Sequence, residues 1–202
     1  MGKQLWKAGN MLYPLPAVMV SAGDEQGSYN ILTVAWTGTI CSDPPMLYIS
    51  VKKSRYSHRM LSQTGEFFVN LTTEATAFAT DYCGVKSGRD ISKFEELKLT
   101  PEKGILTYAP MIRECPVNIA CRVERIEELG SHDMFIARVE GVYADEQYMD
   151  ENGRFDLMQA KPIVYSHGQY YGLGEHIGRF GFSVQKKKKD KKDKKKKPGK
   201  KI

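Results

Sequence analysis

Apolar residues recur at every second position over short stretches of this chain. That period predicts strands at 17–22, 30–41, 46–52, 67–71, 117–127, 134–144 and 162–166. Helical spacing is rarer. Ala75, Phe78, Ala79 and Tyr82 share one face of a helix that Thr73 can cap and Gly84 can stop, and residues 92–97 read as a shorter helical turn. Asp24-Glu25-Gln26-Gly27-Ser28 has the composition of a hairpin turn joining the first two strands. Many strands, few helices and no strand-helix alternation predict a mainly β barrel with flanking helices rather than a doubly wound sheet.

The stretch NILTVAWTGTICSDPPMLYISVKKSRYSH, residues 30–58, carries the most chemistry. On a strand, Thr33, Ala35, Thr37 and Thr39 point one way while Val34, Trp36, Gly38 and Ile40 point the other. The first face is small and hydroxyl-rich, which leaves room for a flat group against the backbone; a solvated edge strand is the plain alternative. Pro44 and Pro45 break the pattern, because neither has a backbone donor and each biases its predecessor to extended geometry. After the next strand, Lys52, Lys53 and Arg55 precede Ser57, which reads as the N-cap of a short helix ending near Gly65. Unpaired N–H groups at a helix start, with three cations beside them, suit a phosphate.

Charge changes the picture less than the total suggests. The formal net charge of the 202 residues is +6, but residues 186–202 hold 12 Lys and 2 Asp, a net of +10. The remaining body is therefore at −4, and nucleic-acid binding does not follow from overall basicity. The organisation expected is one domain over 1–184 and a disordered Lys-rich tail over 185–202. No aromatic is interleaved with the tail lysines, so the tail offers salt-dependent binding to nucleic acid or anionic surfaces without base stacking. No apolar run approaches the ~20 residues of a membrane span and no signal peptide is visible, so a cytoplasmic location is expected. Cys41, Cys83, Cys115 and Cys121 form no CxxC pair, and no histidine spacing accompanies them; reduced packing thiols and no metal site are expected.

No GxGxxG follows a strand, no GxxxxGK[ST] occurs, and there is no GxSxG elbow. A dinucleotide-type turn, a P-loop and a serine hydrolase are thereby disfavoured, and a phosphate must be held another way.

The motifs NILTVAWTG, SDPP, KKSRYSH, EFFVN, GSHDMFIARV and PIVYSHGQYYGLGE, taken in order from Pro14 to Phe182, resemble the flavin reductase-like proteins with an FMN-binding split barrel, and among them the flavoredoxin subgroup. The resemblance implies a six-stranded antiparallel Greek-key barrel with flanking helices, a homodimer, and one FMN per subunit near the interface. By position it implies that Asn30, Trp36 and Thr37 line the ring and ribityl chain, beside Thr33 and Ala35 of the small strand face. Ser50, Val51, Lys53, Arg55 and Ser57 would hold the ring edge and phosphate, with Lys93 as a further flavin contact. His132 and Tyr165 fall beside the reactive face and are the candidate catalytic residues.

A lysine near the pyrimidine side of a flavin stabilises its reduced form, which suits Lys93; a solvated lysine on a polar turn is the alternative. His132 can orient a nicotinamide or serve a turn, and Tyr165 can stack on the ring or pack in the barrel. His167, Tyr170 and Tyr171 belong to a glycine-rich wrap without an assigned catalytic role. Three functions are expected in order. The first is an FMN-dependent oxidoreductase taking hydride from NADH or NADPH, or electrons from a redox protein. The second is a flavoredoxin-type electron carrier without nicotinamide activity. The third is a non-enzymatic polyanion-binding protein working through the tail.

Overall fold

The computed structural model describes residues 2–184. The chain runs through β1 (Leu15–Pro16), β2 (Val18–Gly23), β3 (Tyr29–Val34), β4 (Thr37–Ser42), β5 (Pro45–Lys52), α1 (Tyr56–Thr64) and β6 (Glu66–Leu71). It continues through α2 (Ala77–Val85), α3 (Lys93–Glu96), β7 (Pro101–Glu102), β8 (Met111–Ile112), β9 (Val117–Glu128), β10 (His132–Ala144), β11 (Ile163–Ser166) and β12 (Gln169–Gly172). The mainly β, antiparallel barrel expected from the pattern is the fold found.

Seven strands form one sheet in the order β3-β2-β6-β9-β10-β5-β4. Its two outermost strands, β3 and β4, are consecutive in the chain and separated only by Ala35 and Trp36. The sheet therefore returns on itself, and the Ser50 amide donates to the Trp36 carbonyl at 2.8 Å where it does so. The single strand expected over 30–41 is in fact two strands and a bend. A straight strand would have stayed beside β2; the bend lets the first half pair with β2 and the second with β5, which is what closing a barrel requires. Counted as one bent strand, β3 and β4 bring the barrel to six.

Alternation along β2 explains how the barrel is filled and covered. Val18, Val20 and Ala22 point inward with Leu32, Val34, Ile49, Val51, Phe67, Val69 and Phe135, and Met60 and Leu61 of α1 close the same core. Met19 and Ile31 point outward into a second core with Ala79 and Cys83 of α2, Phe94 of α3, and Ile112. All six residues of β2 are buried because both faces are covered. The β2–β3 turn forms as its composition predicts: the Asp24 carboxylate accepts from the amides of Gln26 at 3.0 Å and Ser28 at 2.8 Å.

Three local boundaries differ from the sequence-based expectation. Arg55, not Ser57, is the N-cap of α1, with extended backbone and no side-chain cap bond, and Ser57 is buried inside the first turn. Thr73 and Thr76 make a reciprocal capping box on the 3-10 turn at Glu74–Thr76, immediately before α2. Gly84 lies inside α2 rather than stopping it. A Cβ there would meet Thr33 Cβ at 3.3 Å, so the glycine serves the approach of α2 to β3. Outside the barrel, β11 pairs with both β1 and β12 in a small sheet, and neither of those partners was expected. Among the described residues no helix is long and apolar enough to cross a membrane.

Candidate functional site

The bend between β3 and β4 opens a cleft of about 430 Å³ on the outer wall of the barrel. Its floor is Thr33, Ala35, Trp36, Ser50 and Val51; Asp81, Gly84 and Val85 of α2 form one side, and Tyr165, Gly168 and Tyr170 of the β11–β12 hairpin form another. His132, the first residue of β10, stands at the end beside Trp36, with ring centroids 4.4 Å apart and planes at 43°. Ser131 Oγ lies 2.9 Å from His132 Nδ1. Burial, and then the charges of Lys52 and Arg55, lower the His132 pKa, which favours the neutral imidazole at neutral pH.

At its other end the cleft runs into a basic pocket of about 280 Å³, the two sharing Leu32, Lys52 and Arg55. Lys52, Arg55, Lys86, Arg89 and Lys93 all line this pocket, together with Ser54, Ser57 and Ser87 at the start of α1 and in the loop after α2. Among the described residues no carboxylate lines it. Asn30 Nδ2 donates to Ser57 Oγ at 2.6 Å, tying β3 to the start of α1. A Cβ at position 88 would fall 2.2 Å from Asn30 Oδ1, so a side chain there would push the Asn30 amide from its place beside Ser57.

Lys93 is buried rather than solvated on a turn. Its Nζ donates to the Ile31 carbonyl at 2.6 Å and the Cys83 carbonyl at 2.8 Å. Burial lowers its pKa to about 8, the Cys83 thiol opposes the shift, and Arg55 adds to it. The Cys83 thiol itself is pushed up to about 11 by burial, which keeps it protonated and unreactive.

Eleven of the thirteen candidate residues thus line these two cavities: Thr33, Ala35, Trp36, Ser50, Val51, Arg55, His132 and Tyr165 the cleft, and Asn30, Ser57, Lys93 and again Arg55 the basic pocket. Two do not. Thr37 is buried past the bend, where its hydroxyl donates to the Tyr48 carbonyl at 2.6 Å. Lys53 is held by Glu128 at 2.7 Å and Asp133 at 3.4 Å, and Lys52 lines both cavities in its place. Lys53 lies just past the end of β5, in the turn before α1, where Glu128 of β9 and Asp133 of β10 hold it.

Sequence reasoning missed Lys86 and Arg89, though Lys-Ser-Gly-Arg at 86–89 is itself a loop of two cations around a small pair. It also missed Asp81, and Tyr170, named as part of the glycine-rich wrap without an assigned role, lines the cleft. The Tyr170 hydroxyl is pushed up to about 12 by burial and then by the Asp81 carboxylate charge, so it stays protonated.

With this geometry in view, similarity to known proteins is specific. The fold matches the flavoredoxin of Desulfovibrio vulgaris (Miyazaki F) with a TM-score of 0.84 and 30% identity, covering 92% of this chain and 100% of that one. It matches the flavoredoxin of Methanosarcina acetivorans with a TM-score of 0.82 and 28% identity, covering 91% and 100%. The NADH-dependent flavin reductase StyB of Pseudomonas fluorescens is 25% identical over 161 residues, 80% of this chain and 84% of that protein. Residues 10–174 match the model of the flavin reductase like domain, and the chain belongs to that family, with the split-barrel fold and flavoredoxins among its structural relatives.

Proposed function

We propose that the protein is an FMN-dependent oxidoreductase that passes electrons from NAD(P)H or from a redox protein to an acceptor. The observation carrying this reading is the continuity of a small-walled cleft with a carboxylate-free pocket of five cations, through the shared residues Leu32, Lys52 and Arg55. The donor set fits the group. Ala35 and Ser50 leave the backbone accessible to a planar ring, and Gly84 allows α2 close to the same wall. The N–H groups at the start of α1, with Arg55, Lys52, Lys86 and Arg89, suit a terminal phosphate.

FMN, when bound, supplies hydride and single-electron chemistry. The chain's own residues hold and shield it. Arg55, Ser57 and Lys93 fix the anionic end, Trp36 and Tyr165 border the ring cleft, and His132, in its neutral form, orients the donor without adding charge at the mouth. The protein needs no acid-base pair of its own for hydride transfer.

A second reading, an electron carrier without nicotinamide activity, is favoured by the end-to-end similarity to two flavoredoxins. One experiment separates them. Purified protein loaded with FMN is expected to be yellow and to oxidise NADH or NADPH in steady state. Yellow protein silent toward both nucleotides but reduced by a ferredoxin system is the carrier, and protein that takes up no flavin overturns both readings.

A homodimer forms part of the proposal. Leu173, Ile177, Phe180, Phe182 and Val184 near one end, and Leu5 and Trp6 near the other, are exposed apolar residues that a second copy can cover. Light scattering of the full chain is expected to give twice the mass of 22.9 kDa. Four free cysteines suit the reducing cytoplasm proposed as its location.

A further inference from the structure

The first turn of α1 borders the basic pocket, yet its own sequence does little to hold it in place. Arg55, the N-cap, makes no side-chain cap bond, and no acidic residue stands in the first turn. Its orientation therefore depends on ties to other elements, which side chains of β3 and β10 supply. From β3, Asn30 donates to Ser57 Oγ at 2.6 Å. From β10, the Asp133 carboxylate meets the His58 ring, with Oδ2 2.7 Å from Nε2.

Alternation along β10 sends His132 toward the cleft and Asp133, like Phe135, into the barrel. Asp133 is buried there. Its Oδ1 makes no hydrogen bond among the described residues; Lys53 Nζ stands 3.4 Å away and is turned to Glu128 at 2.7 Å. His58 is thus the nearer partner of the buried carboxylate. Phe135 also stands edge-on to the His58 ring, with centroids 5.3 Å apart and planes at 74°, so β10 fixes the ring by one polar and one aromatic contact.

A buried pair of this kind adds little net stability over apolar packing of the same volume, because desolvation offsets the attraction. What it does supply is a fixed distance between two elements. The His58 amide donates to the Arg55 carbonyl at 3.0 Å, and Arg55 and Ser57 both line the basic pocket, so a shift of His58 carries them with it.

We propose that Asp133 is a positioning residue: acting through His58, it sets the orientation of the first turn of α1, and with it the grip of Arg55 and Ser57 on a flavin phosphate. The inference rests on the flavin reading above and adds to it two residues, neither of which lines the cleft or the basic pocket.

The test titrates the full chain, stripped of flavin, with FMN and with riboflavin, which has no phosphate to grip. His58→Ala cuts the tie, and His58→Gln keeps a donor at nearly the same reach. His58→Ala is expected to weaken FMN about tenfold while riboflavin stays within about twofold, and His58→Gln to return FMN to within about twofold of the wild type. Asp133→Asn added to His58→Ala is expected to change FMN affinity by less than about threefold, since the contact is already lost. FMN affinity unmoved by His58→Ala, an equal loss of FMN and riboflavin, or a His58→Gln chain as weak as His58→Ala overturns the positioning role and leaves the flavin reading standing. A further tenfold loss on adding Asp133→Asn also overturns it, because Asp133 would then act by a route other than His58. Failure of the wild type to bind FMN sinks the flavin reading and this inference together.

Discussion

Lys93 places two of its three donors on main-chain carbonyls and its charge in a pocket already holding Lys52, Arg55, Lys86 and Arg89. Burial brings its pKa to about 8, so near neutral pH it is mostly charged and above pH 9 mostly neutral. A folded-state pKa below the unfolded value means that the charged form is the disfavoured one in the free protein, and a bound dianionic phosphate reverses that preference. Phosphate affinity is therefore greatest below the folded pKa and falls as pH rises through it. FMN is expected to bind about tenfold more weakly at pH 9 than at pH 7, while riboflavin, which lacks the phosphate, shows no such slope. Lys93→Met should flatten the FMN profile. An unchanged slope in that variant would assign the pH dependence to another group.

The bend at Ala35 and Trp36 makes one stretch of chain both the closing strand of the barrel and the floor of the cleft. Ala35→Leu is expected to fill the cleft and cut flavin affinity about tenfold or more, with stability changed by under about 1 kcal/mol because the residue is only half-buried. A pair of calorimetric scans and a flavin titration check both halves. The strand pattern itself was legible in the sequence because alternation is local, and so was the basic start of α1. The bend was not, since Thr33, Ala35, Thr37 and Thr39 continue the alternation straight through it; only the pairing of β3 with β2 and β4 with β5 makes it necessary. The same limit hid the burial of Lys93, which comes from α2 and β3 rather than from its neighbours in the chain. It also hid the partners of Lys53, Glu128 and Asp133, which lie far along the sequence. Within β6, Asn70 is fully buried and satisfied on both sides. Its Nδ2 donates to the Met19 carbonyl at 2.8 Å and Ser21 Oγ at 2.9 Å, and its Oδ1 accepts from the Ile112 amide at 3.1 Å and Asn118 Nδ2 at 2.8 Å. Asn70→Leu leaves those groups unpaired in the interior and should cost about 2–4 kcal/mol in chemical denaturation. A loss below about 0.5 kcal/mol would mean that water or repacking replaces the network.

At the scale of the molecule, charge is divided unevenly between the body at −4 and residues 186–202 at +10, a segment that lies outside the described residues. Among the described residues, those that line the two cavities assigned to flavin fall between Ala17 and Tyr170. Long-range attraction by ten net positive charges is screened over about 8 Å at physiological salt, which confines it to polyanions that come close. A chain ending at Gln185 is accordingly expected to keep FMN affinity within about twofold and to lose retention on a heparin column, with the full chain retained at low salt and released as salt rises. A sharp fall in flavin affinity on truncation would instead make the basic segment part of the cofactor site. Equal retention of both chains would move polyanion binding onto the barrel, where Lys52, Arg55, Lys86 and Arg89 form a cluster among the described residues with the charge to hold it. Because FMN would occupy that cluster, heparin and FMN would then compete, whereas binding through residues 186–202 leaves the two independent.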